Sequence, residues 1–108
     1  MSTDTMPVFD PEKLRRQTLG DETMQVEVLS LFVTEAERLM RQVEAADNPQ
    51  LRAERLRALI ALGRNIGAMR LVQSARLAES HIGDDDPDLS GLRTAISDTV
   101  AYVHRAGI

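Results

Sequence analysis

The sequence predicts an all-α fold, an antiparallel up-down four-helix bundle with a short additional N-terminal helix. Three observations point there. Apolar residues recur at steps of three and four along each long segment. Asp-Pro and Asn-Pro pairs and single glycines punctuate the chain at helix-length intervals. No alternating run of β-branched residues reads as a strand.

Residues 1–7 are small and polar up to Pro7 and predict a flexible tail, leaving 8–108 as one helical domain. Asp10 followed by Pro11 offers an N-cap acceptor and then a ring that needs no N–H, so the short first helix starts there. It ends at Gly20, placed in the left-handed position just past a helix. Asp21 opens the second helix, with Glu22 at its positive end, and the pattern carries to about residue 46. Val28, Phe32, Ala36, Leu39 and Val43 form its core stripe. A second line, Leu29, Val33 and Met40, widens the apolar arc. That line serves either a second neighbouring helix or an exposed edge for a partner.

"ADNPQ" breaks the pattern, and Asn48 and Pro49 start a third helix that reaches about residue 65. Leu56, Leu59, Gly63 and Ile66 make its buried side. Gly67 loosens the backbone, and a fourth helix from Ala68 turns Leu71, Val72, Ala75 and Ala78 inward. Small residues at 63, 67, 68 and 75 permit close helix approach, although Gly63 costs about 1 kcal/mol of helix propensity relative to Ala. In "SHIGDDDPD", Asp86 is the expected cap and Pro87 the start of the fifth helix, which buries Leu89, Leu92, Ile96, Val100 and Val103.

Composition removes several function classes. The 108 residues contain no cysteine, which excludes disulfides and thiol chemistry and fits a cytoplasmic location. The start lacks a basic region followed by an apolar core, so no secretory signal is expected. No apolar run of about 18 residues exists to span a membrane. A net charge of −4, with arginines and acids interspersed, disfavours nucleic acid. Phe9, Phe32 and Tyr102 are the whole aromatic complement, too few for a base-stacking platform. Another protein is the expected partner.

Catalytic constellations are scarce. His81 stands where the fourth helix gives way to a loop, and His104 in the last turn of the fifth, where positive charge suits the helix dipole. Neither has metal-ligand spacing. Asp84, Asp85 and Asp86 are consecutive and cannot converge on a cation as an EF-hand loop does. No metal, no cofactor and no catalytic residue is expected. Arg57, Ile60, Ala61 and Arg64 nevertheless group on the third helix away from its core stripe. They are either solvated surface or a docking face.

Two segments carry a resemblance. "FDPEKLRRQTLGDETMQVEVLSLFVTEAERLMRQV" resembles the opening helices of histidine-containing phosphotransfer (HPt) domains, and "RNIGAMRLVQSARLAES" resembles the segment that closes their third helix and makes the fourth. Together they cover about residues 8–80; the last helix matches only in length and pattern. The resemblance implies a phosphorelay role in two-component signalling. In the family an exposed His carries the phosphate, a Lys three residues on offsets its charge, and the next residue, Gly, leaves room for a receiver domain. The matching positions here are Arg57, Ile60 and Ala61, and all three depart from the pattern.

A guanidinium is a poor nucleophile but grips carboxylates and phosphates in bidentate fashion. The expectation is therefore a protein unable to carry phosphate, more a binder than an enzyme. It would regulate or scaffold a response-regulator receiver domain or a histidine kinase. The docking residues would be Arg57, Ile60, Ala61 and Arg64, with Leu29, Val33 and Met40 as an apolar edge. The alternatives are active phosphotransfer through His81 or His104, and an unrelated helical interaction module that forms a homodimer.

Overall fold

The computed structural model describes residues 6–81, 83 and 88–105. Among them the chain is all-helical: α1 (Pro11–Gln17), α2 (Glu22–Ala45), α3 (Pro49–Ile66), α4 (Met69–Ser80) and α5 (Ser90–Arg105). The expected caps start the first three. The Asp10 carboxylate accepts from the Glu12 and Lys13 N–H groups, that of Asp21 from Met24, and the Asn48 side chain from Leu51. Each satisfies donors that a helix start otherwise leaves open.

The end of α1 differs from expectation by one residue. The Gly20 N–H reaches the Arg15 carbonyl and the Leu19 N–H that of Arg16. This doubly bonded C-terminal turn places Leu19, not Gly20, in the first left-handed position, at φ 55°. Gly20 follows at φ 72°. Leu19 is 84% exposed, so its side chain gains nothing that offsets the left-handed backbone.

In α5, Asp88 and Leu89 precede the helix, and the Asp88 carboxylate accepts the Ser90 N–H at 2.9 Å. The helix therefore starts at Ser90 rather than Pro87. Asp86 and Pro87, like the rest of the Asp84–Asp86 run, lie outside the described residues. The Asp88 carboxyl is held below its ordinary range by the Ser90 hydroxyl first and the Ser90 N–H second.

The helices pack in a closed order: α2 on α3, α3 on α4, α4 on α5 and α5 back on α2, with α1 against α3. Leu29, Val43, Leu56, Leu59, Leu71, Leu92 and Val103 are almost fully buried at the centre. Thr18 and Thr99 are also buried, and their hydroxyls return to the Leu14 and Ala95 carbonyls within their own helices. The tightest approach is between α3 and α4. A Cβ added at Gly63 would meet Val72 Cγ2 at 2.8 Å, so the small residue permits the spacing.

Gly67 does more than loosen the chain. At φ 83° and ψ 30° it ends α3 in the left-handed region, and both its N–H and that of Ala68 bond to the Gly63 carbonyl. Its own carbonyl accepts from Asp10 at 2.8 Å, the Met69 N–H reaches Val8 at 2.9 Å, and Phe9 forms an isolated antiparallel bridge with Ala68. Phe9 is then buried against the rings of Phe32 and Tyr102. Arg70 donates to the Met6 carbonyl and approaches Asp98 at 3.5 Å. Of the expected 1–7 tail, Met6 is therefore held against α4 rather than loose, and residues 1–5 lie outside the description.

Candidate protein-docking face

The site begins with the geometry of α3. Its buried side is the expected one, Leu56, Leu59, Gly63 and Ile66, joined by Ala53 and Ile60. On the flank beside Ala53 and Ile60, Arg57, Ala61 and Arg64 are exposed, one above another at steps of four and three residues. Arg57 does not stand alone. Its Nε donates to Glu79 Oε2 of α4 at 2.9 Å, tying the two helices across their exposed edge. Both partners are solvated, so the bond contributes at most about 1 kcal/mol, and the guanidinium's terminal nitrogens remain for another acceptor.

Ile60 corrects the sequence expectation. It is only 9% exposed and belongs to the core cluster. On a helical wheel it sits about 60° from Arg57, far enough round for the neighbouring helix to cover it. The expected apolar edge is corrected as well. Leu29 is 1% exposed and Met40 is buried with it, while Val33 is half-buried against the core. Leu29 and Met40 thus lie inside the buried arc of α2, with Val33 at one margin and Val28, expected in the core, half-buried at the other.

The most exposed of the large apolar residues of α2 is Leu31, at 72% against 41% for Val26 and 38% for Met24, and the sequence expectation omitted it. With Val28, Phe32, Leu62 and Ile66 it lines a shallow groove of about 440 Å³ between α2 and α3. Glu35 stands at its rim, its carboxyl held below the ordinary range chiefly by the hydrogen bond from Arg38. Leu62 lies on the α2 side of α3, about 100° or more round the helix from Arg57, Ala61 and Arg64, so the groove and that face lie apart. The signal for Leu31 was present in the sequence, since it breaks the polar side of α2.

His81 and His104 are exposed at the ends of α4 and α5, away from this face in sequence. Among the described residues no group of His, Asp and Glu could hold a metal ion, and no helix is long and apolar enough to cross a membrane. No known family model matches the chain, and no curated protein or solved structure does either.

Proposed function

We propose that this chain is a non-phosphorylatable relative of the HPt domains, a four-helix up-down bundle with a leading helix. It would bind a receiver domain or a histidine kinase's helical dimerisation domain to regulate or scaffold it. One observation carries the reading: α3 presents Arg57 and Ala61 outward, at the positions where the HPt pattern has its exposed phospho-acceptor and its small residue. The closed packing order of α2 to α5 supports it. In place of a nucleophile the face offers a fixed cation, Arg57, with Arg64 about two turns further along the same side. Such a surface suits an acidic partner.

The test uses purified receiver and kinase dimerisation domains from the same cell, titrated against the natural chain, Arg57→Ala and Ala61→Arg. At least one domain should bind, and Ala61→Arg should weaken it roughly tenfold or more by blocking close approach. No acid-labile phosphate should appear on the chain after mixing with a phosphorylated receiver. Binding by none of the domains, or equal binding by all three chains, overturns the docking reading. Labelling that disappears with His81→Ala and His104→Ala together establishes active phosphotransfer instead.

A further inference from the structure

A second concave surface lies on the other flank of α3, where α1, α3 and the start of α4 meet at the Gly67 corner. It is an open cleft of about 410 Å³. Gly63, Ala68 and Val72 form an apolar floor, and Lys13, Arg64 and Arg76 stand around it, one cation from each of the three helices. None of these three side chains makes an ion pair or a side-chain hydrogen bond among the described residues. The lining includes one carboxylate, Asp10, and it is already engaged in capping α1.

The concentration of positive charge stands out on a chain that carries −4 overall. Long cationic side chains held around an apolar floor are complementary to acidic groups flanking an apolar one. The openness of the cleft decides the size of the occupant. A small ligand is normally enclosed over most of its surface, which this cleft does not do. A segment of a larger chain needs only one side covered. A nucleic-acid backbone would meet the net negative charge of the molecule and find no aromatic side chain in the cleft to stack a base on.

We propose that this cleft binds an acidic peptide segment of a partner protein. An apolar side chain would seat over Gly63, Ala68 and Val72, with carboxylates reaching Lys13, Arg64 and Arg76. The proposal does not rest on the phosphorelay reading. The cleft shares Arg64 with the α3 face, but Lys13 and Arg76 belong to the cleft alone.

The experiment is selection from a random dodecapeptide library displayed on phage, against the natural chain and against the Lys13→Glu/Arg76→Glu double variant. Neither side chain has an ion-pair or side-chain hydrogen-bond partner among the described residues, and circular dichroism checks that the variant stays helical. Arg76→Glu alone serves as a second variant. The natural chain should enrich peptides with Asp or Glu on both sides of Leu, Ile or Met. These peptides should bind roughly tenfold or more weakly to each charge-reversed chain, lose affinity as salt rises, and shift the backbone amides of Gly63, Gly67, Ala68 and Val72. Absence of such a consensus overturns the proposal, as does equal enrichment on the double variant or amide shifts elsewhere on the molecule. The same shifts from inorganic phosphate alone would reduce the cleft to a simple anion site, and from oligothymidylate to a nucleic-acid site; either outcome sinks the peptide.

Discussion

Replacing Gly67 with alanine, beside the same change at Gly20, separates two costs that the fold keeps apart. Both glycines have left-handed backbones, at φ 83° and φ 72°. At Gly20 an added Cβ has nothing within 4 Å, so Gly20→Ala measures the backbone alone. A left-handed alanine costs about 1–2 kcal/mol, and the stiffer unfolded chain returns about 0.4–1 kcal/mol. The net loss is about 0.5–1 kcal/mol.

At Gly67 the same Cβ would lie 3.1 Å from Lys13 Cβ and 3.3 Å from Asp10 Cβ. Those atoms are fixed to the backbone of α1 and its cap and cannot rotate away. Displacing α1 also strains the Asp10 N–H bond to the Gly67 carbonyl. Overpacking of this kind adds about 1–3 kcal/mol, so Gly67→Ala should cost about 1.5–4 kcal/mol in all. Urea unfolding followed by helical circular dichroism reads the difference. With a slope of about 1–2 kcal/mol/M, the midpoint should fall by roughly 0.8–4 M for Gly67→Ala and by roughly 0.3–1 M for Gly20→Ala, the former always the larger at a shared slope. Equal midpoints for the two variants would refute the close packing of α1 on the α3–α4 corner.

Two further outcomes follow from residues already described. Ile60→Asp should destabilise the fold by at least about 2 kcal/mol, because it places an unpaired carboxylate in the core; an unchanged melting temperature would put Ile60 back on the surface. Asp88→Ala should lower the melting temperature at neutral pH and have a vanishing effect in acid. The folded pKa of Asp88 is lowered, so its contribution is fully present above the unfolded carboxylate value of about 3.9 and is lost as pH falls through the lower folded value. A gap between the two chains that persists undiminished well into the acid range would contradict this.

The helices and most of their limits were legible in the residues alone, because caps act within one turn. Asp10-Pro11, Asp21 and Asn48-Pro49 each satisfy their own helix start with a side chain two or three residues away. The buried side of α3 was equally plain, since Leu56, Leu59, Gly63 and Ile66 repeat at the helical period. Periodicity gives the width of an apolar arc but not its centre, which the covering neighbours set. For this reason Leu29 and Met40 of α2 and Ile60 of α3 could be placed only by the packing. The left-handed turn at Leu19 was hidden because the adjacent Gly20 is the better candidate by intrinsic preference.

Contacts between residues far apart in the chain came only from the packing of the helices. Arg57 meets Glu79 across two helices. Met6 and Val8 are held by Arg70 and Met69, and Lys13, Arg64 and Arg76 gather round one cleft. Each juxtaposition depends on the angle and spacing at which α1, α3 and α4 pack, and Gly63 and Gly67 set that spacing through close contacts between atoms from separate elements.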